Sequence, residues 1–130
     1  MMTVELRYLA LSIVLVVIQL LLAGFFATKE RGSAWNAGPR DAPQPPLKPL
    51  AARLERAARN VLETFPLFAA AVLVAHAAGV HTALTVIGAT LYFWGRILYV
   101  PLYAFGIPYV RSVVWLIATA GIGLILIALI

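Results

Sequence analysis

The stretch Arg53-Leu-Glu-Arg-Ala-Ala-Arg-Asn-Val-Leu-Glu-Thr-Phe-Pro66 packs charge into the first turns of a helix that then turns apolar, with no charge or hydrogen-bonding side chain from Pro66 to Ala75. Arg56, Arg59, Asn60 and Glu63 fall at i, i+3, i+4 and i+7, so they share one helix face. That gradient is expected of a helix entering a bilayer with an ionisable cluster just below the surface. Such clusters are costly in hydrocarbon and mark binding or transport sites by default. An arginine-rich headgroup anchor accounts for Arg53 alone. It gives no role to Asn60 or Glu63.

Working outward, the chain has 130 residues and is 63% hydrophobic, with a mean hydropathy of +0.96. A soluble domain of this length is nearer half apolar, so the composition points to one integral membrane domain. The formal charge is +5. In a soluble protein that would suggest nucleic acid. Here the basic residues sit at the ends of apolar segments, so membrane orientation explains them and no nucleic-acid partner is expected. The absence of cysteine removes disulfides, thiolate metal sites and cysteine nucleophiles together.

Hydropathy and turn signals predict four spanning helices, at about residues 6–27, 50–78, 83–104 and 108–130. Between the first two lies residues 28–49, read as an irregular, stiff connection because of prolines 39, 43, 45, 46 and 49. Pro66 and Pro101 fall inside helices and are expected to bend them. Pro108 is placed near the first position of the last helix. In the third helix, Arg96, Tyr99 and Tyr103 occupy one face, and a charge at the depth of Arg96 needs a partner inside the bundle. Tyr109 and Trp115 fit an interfacial aromatic belt, and Tyr99 fits one less well because of its depth. His76 has no Cys, Asp or Glu nearby in sequence to suggest a metal site, and His81, in the tight turn Val80–Thr82, is expected to be solvated. Lys29, Arg31, Arg40, Lys48, Arg53, Arg56, Arg59, Arg96 and Arg111 belong to one side and Arg7 alone to the other. This asymmetry predicts both termini on the non-cytoplasmic side.

The polar clusters therefore converge at one depth. Arg56, Arg59, Arg96 and Arg111, with Asn60, Glu63, Tyr99, Tyr103 and Ser112, suit an anionic ligand bearing several carboxylates or a phosphate. Glu63 suits a ligand ammonium or an arginine. There is no Gly-rich phosphate loop, no Ser-His-Asp set and no paired carboxylates.

Taken together, Arg56-x-x-Arg59-Asn60-x-x-Glu63-Thr-Phe-Pro66-Leu-Phe, Gly95-Arg96-x-x-Tyr99-x-x-x-Tyr103 and Pro108-x-x-Arg111-Ser112 resemble the MAPEG superfamily. These are membrane-associated proteins in eicosanoid and glutathione metabolism, among them the microsomal glutathione transferases. The chain resembles a short, bacterial-type member. It differs from better-known members in its proline-rich first connection and by one residue between Tyr103 and Arg111. The resemblance implies an all-α four-helix membrane bundle, assembled as a homotrimer in a bacterial inner membrane, with glutathione between subunits near the cytoplasmic face. It implies that Arg56, Arg59, Asn60, Glu63, Arg96, Tyr99 and Tyr103 hold glutathione. Arg111, with the Ser112 hydroxyl beside it, falls where family enzymes stabilise the thiolate. The expected activity is attack of that thiolate on a lipophilic electrophile or lipid hydroperoxide from the bilayer, with no metal. The alternative is a non-catalytic lipid-binding scaffold of the same fold. A transporter fits less well, because the polar groups do not line a path across.

Overall fold

Thr3 opens the first helix, its Oγ1 accepting from the Leu6 N–H at 3.2 Å and so satisfying one of the donors every helix start leaves free. The computed structural model describes all 130 residues and contains five helices. They are α1 (Val4–Arg31), α2 (Ser33–Ala37), α3 (Pro49–Ala77), α4 (Ala83–Ala104) and α5 (Val110–Leu129). There is no strand. All but the short α2 are long and apolar enough to cross a membrane, so the protein is a multi-pass all-α membrane bundle. Side chains facing away from the bundle, such as Leu21, Leu67 and Ile127, are as apolar as those facing inward. Only lipid makes such a surface tolerable.

Three element boundaries differ from the sequence reading, each for a local reason. Residues 28–31 remain in α1 and residues 33–37 form α2, so the first connection is irregular only from Gly38 to Lys48. The first proline of the cluster is Pro39, and its helix-breaking effect does not reach back that far. What stops α1 is Gly32, at φ 90°, whose N–H closes the helix on the Thr28 carbonyl at 2.7 Å. At the last helix, Pro108 lies outside rather than at the first turn. Tyr109 has φ 58°, and the Val110 N–H donates to the Pro108 carbonyl at 2.6 Å, a tight turn that delays α5 to Val110. Pro66 and Pro101 both lie within unbroken helices.

Small residues set how closely the helices pack. The buried side of α1 is Glu5, Leu9, Ser12, Val16, Gln19 and Ala23, spaced alternately by four and three residues as in a coiled-coil seam. That seam lies against α3 and α4. The backbones of α4 and α5 touch at Gly88 and Gly121, and a Cβ at Gly95 would come within 2.9 Å of the Ala118 Cβ. Close backbone contact of this kind stands in for the hydrophobic drive that lipid cannot provide. It also fixes α4 and α5 in antiparallel register, so the end of α4 and the start of α5 meet beside the charged half of α3. The core joins all four spanning helices, with the Phe68 and Tyr92 rings stacked at 4.0 Å and the Tyr92 hydroxyl 3.0 Å from Thr64 Oγ1.

Candidate functional site

On α3, Leu54, Ala57, Ala58 and Val61 are buried, so the face bearing Arg53, Arg56, Asn60 and Glu63 is turned partly outward. Alanine at 57 and 58 lets the neighbouring helices approach closely while the long side chains spread to either side. The end of α4 supplies Arg96, Tyr99 and Tyr103, and the first turn of α5 supplies Arg111.

The two tyrosines organise the arginines. Arg56 Nε donates to the Tyr103 hydroxyl at 3.0 Å. Arg111 lies over the Tyr103 ring at 4.6 Å and donates from Nη1 to the Tyr99 hydroxyl at 3.4 Å. The rings of Tyr99 and Tyr103 meet edge to face at 5.6 Å, so each arginine contact supports the other. Behind them Arg96, only 1% exposed, lies 4.2 Å over the Tyr99 ring and donates from Nη1 to Asn60 Oδ1 at 2.8 Å. Its Nε and Nη2 have no partner. The partner demanded by a charge at that depth is thus an amide and an aromatic face. No carboxylate bonds to it.

Arg56, Arg59, Asn60, Glu63, Tyr99, Tyr103 and Arg111 line one open cleft of about 240 Å³. Two residues of the sequence-derived set stand apart from it. Arg96 lies behind the wall, reaching the cleft only through Asn60 and Tyr99. Ser112 lines an adjoining cavity of about 310 Å³, shared with Trp115 and Leu116. Arg59 pairs with Glu55 at 3.0 Å, an exposed i,i+4 pair. Glu63 is therefore not the sole carboxylate of the cluster.

Sequence reasoning missed Arg53 and Trp115 as neighbours of the site. Arg53 lines a third cavity, of about 220 Å³, with Arg56, Tyr103 and Arg111. Its guanidinium rests on the turn after α4, where a Cβ at Gly106 would lie 2.8 Å from Arg53 Cζ. Gly106 also has φ 69°, so the backbone favours glycine there. Spacing could have found both residues, since Arg53 is three before Arg56 and Trp115 four after Arg111. Reading each as a membrane-surface residue hid them.

Chemically, the guanidiniums of Arg53, Arg56, Arg59 and Arg111 and the carboxylate of Glu63 line these joined cavities, with Arg96 behind them. Arg56, Arg96 and Arg111 are steadied by tyrosines and an amide, which leave N–H groups free for a second acceptor. Such a surface suits an anion with more than one oxyanion group and one cationic group for Glu63. Arg111 stands where the polar cleft meets the more apolar cavity along α5. No cluster of three His, Asp or Glu side chains suited to a metal ion is present. Among known families, the model of the MAPEG family matches residues 8–130, which contain all the residues of these cavities. No curated protein and no solved structure gives a match.

Proposed function

Because the chain belongs to the MAPEG family, membrane-associated proteins in eicosanoid and glutathione metabolism, we propose that its arginine-lined cleft binds glutathione. The bound thiolate then attacks lipophilic electrophiles or reduces lipid hydroperoxides. The observation that carries this reading is the position of Arg111. Its guanidinium is held by Tyr99 and Tyr103 and borders both the polar cleft and the cavity of Ser112, Trp115 and Leu116.

Glutathione carries two carboxylates and an ammonium. Arg56 and Arg59 suit the carboxylates, Asn60 a peptide group, and Glu63 the ammonium. Arg96 acts behind them, holding the Asn60 amide oxygen so that its N–H₂ faces the cleft. Arg111 favours the ionised thiol electrostatically. The sulfur then forms its bond to an electrophilic carbon, and the displaced group leaves with the electron pair. With a hydroperoxide the sulfur takes the terminal oxygen, the lipid alkoxide leaves and is protonated by water, and a second glutathione converts the sulfenic acid to the disulfide with release of water. The Ser112 hydroxyl lies on the side from which a lipophilic acceptor would come.

A homotrimer with the cleft at the subunit boundary is part of the proposal. In one chain the cleft is smaller than the roughly 300–1,000 Å³ typical of small-molecule sites, and Arg56, Arg59 and Glu63 are exposed on a helix long and apolar enough to cross the membrane. A neighbouring copy would deepen the first and cover the second. Glutathione binding to purified protein, followed by an ultraviolet absorbance scan for bound thiolate, tests the chemistry. Native mass measurement in detergent tests the assembly, and a stable monomer would overturn the shared site.

A non-catalytic lipid scaffold remains the second reading. It is favoured by a wholly apolar groove of about 250 Å³ between α3 and α5, lined by residues such as Leu67, Val74, Ile122 and Leu126. Turnover with a generic electrophile separates the two.

A further inference from the structure

Inside the bundle, α1 and α4 pack against each other along buried stripes that advance in matching steps. On α1 the stripe falls at positions 5, 9, 12, 16 and 19, and on α4 buried residues fall at 85, 89, 92, 96 and 99. Each α1 position thus precedes its α4 counterpart by the same 80 residues that separate Glu5 from Thr85, a pair bonded at 2.6 Å. The next pair, Leu9 and Ala89, shares the main core. Both helices run the same way from that end. At 1.5 Å per residue, Gln19 and Tyr99 each lie about 21 Å further along, at one level.

Two side chains at that level lack partners. Gln19 is 4% exposed, and neither its Oε1 nor its Nε2 has a hydrogen bond within the chain. Arg96, whose guanidinium lies 4.2 Å over the Tyr99 ring, has its Nε and Nη2 free. Packing on α3 gives the same level independently. Ala23 packs with Leu54 and Ala58, and Leu9 with Phe68, so α1 and α3 are antiparallel. Gln19 lies one turn from Ala23, and Asn60 half a turn from Ala58, toward the same end. Gln19 is therefore level with the hydrogen bond from Arg96 to Asn60. Buried polar groups are rarely left unpaired, and an amide oxygen suits guanidinium donors. Gln19 and Arg96 are both buried within one chain, so their relation does not depend on how copies assemble.

We infer that Gln19 is a positioning residue for the site. Through one ordered water it holds the Arg96 guanidinium, and through Arg96 it holds the Asn60 amide. The Nε and Nη2 hydrogens lie along one edge of the guanidinium, so a single water oxygen accepts from both and donates to Gln19 Oε1. Buried waters typically make about three such bonds. With Arg96 fixed, Asn60 Oδ1 stays occupied and the Asn60 N–H₂ is kept for the cleft, so the inference rests on the glutathione reading above. An amide is the fitting residue type here. A carboxylate would hold Arg96 equally well, but would cancel its positive charge behind an anion-binding cleft.

The test joins melting without ligand to glutathione affinity, in full-length variants. Gln19→Leu should lower the melting temperature of the parent by about 4 °C, the scale of one lost hydrogen bond. In an Arg96→Met background, where the donors are gone, Gln19→Leu should instead raise it, because a stranded buried amide is removed. With glutathione, Gln19→Leu should weaken binding about fivefold, while turnover at saturation changes by less than about twofold. Ser12→Ala deletes another unpartnered buried group of the same stripe and should leave affinity unchanged. A rise from Gln19→Leu in both backgrounds would show an amide with no partner, and an equal fall in both would show packing alone. Either result overturns the inference. Unchanged affinity in Gln19→Leu would overturn the positioning role even if melting reverses. A parent that binds no glutathione would sink the proposed function and this role together, whereas failure of the role alone leaves binding by the parent intact.

Discussion

Arg96 and Glu5 are ionisable side chains buried at opposite ends of the same bundle, at 1% and 4% exposure. The chain treats them differently. Glu5 accepts from Thr85 Oγ1 at 2.6 Å, and His81 Nδ1 lies 3.5 Å away, so its needs are met by the start of α4 and the turn before it. Arg96 has one hydrogen bond to Asn60, a tyrosine face and two nitrogens with no partner. A buried charge closed off by its own chain fastens helices together. One left partly open, beside other open charges, is poised for something outside the chain. The acid end therefore reads as structure and the basic end as site. Each prediction below sharpens or breaks that division.

The largest effect is expected at Arg111. If it stabilises a thiolate, its contribution appears only once the thiol has ionised, not while the peptide is being held. Arg111→Ala should bind glutathione nearly as well as the parent, shift ionisation of the bound thiol to higher pH, and lower turnover by roughly 10²-fold. Unchanged titration and turnover, with only poorer expression, would make Arg111 a membrane anchor and leave the basic end without its chemistry.

Next is Glu5, where the expected loss is of fold alone. Glu5→Ala cuts the tie between α1 and the start of α4, and should cost about 2 kcal/mol of stability without ligand. The cost is held down because the Thr85 hydroxyl can turn to the Thr82 carbonyl, 2.9 Å away. Glu5→Gln keeps an acceptor and should lose less. Glutathione affinity measured by calorimetry should be the same in all three proteins. A fall in affinity would mean that the acid end communicates with the site.

These two positions also show where sequence reading succeeds and stops. The α3 cluster was legible because helical spacing alone puts Arg56, Arg59, Asn60 and Glu63 on one face, and the four spans because hydropathy is summed over long windows. Which α4 residue meets which α3 residue was not legible. Arg96 finding Asn60 and Arg56 finding Tyr103 depend on the rotation and depth of α4, set by contacts at Gly88, Gly95, Ala118 and Gly121. Nothing local in the sequence marks Glu5 as buried, because its partner Thr85 is 80 residues away. Residues 28–37 were lost to averaging, when prolines that begin at Pro39 were allowed to colour the whole connection.

Glu63 should give a smaller effect, visible only with ligand. It is exposed and has no hydrogen bond or ion pair within the chain. Glu63→Gln is expected to leave the melting temperature of the free protein unchanged and to weaken glutathione binding about tenfold, the loss of one charged contact to the ammonium. A lower melting temperature without glutathione would instead make Glu63 a structural counter-ion to the arginines. The basic end would then be closed by its own chain, as the acid end is.

The smallest effect is expected at Glu55, and it tests whether every charge at the basic end is held open. Glu55 and Arg59 form a pair at 3.0 Å, with side chains 42% and 67% exposed. Exposed i,i+4 pairs are worth about 0.3–0.5 kcal/mol, because both partners are well solvated and both lose side-chain freedom on pairing. Glu55→Gln should therefore change the stability of the free protein by no more than about 0.5 kcal/mol. Its effect on binding has a definite sign. Removing the acid frees Arg59 for a ligand carboxylate and makes the cleft more positive, so glutathione should bind slightly tighter, with a steeper dependence on salt. Arg59→Gln should do the reverse. If Glu55→Gln instead weakens binding, the pair positions Arg59 for the ligand rather than competing for it. Glu55 would then join the site as a positioning residue, detectable because adding Arg59→Gln to Glu55→Gln would cost nothing more.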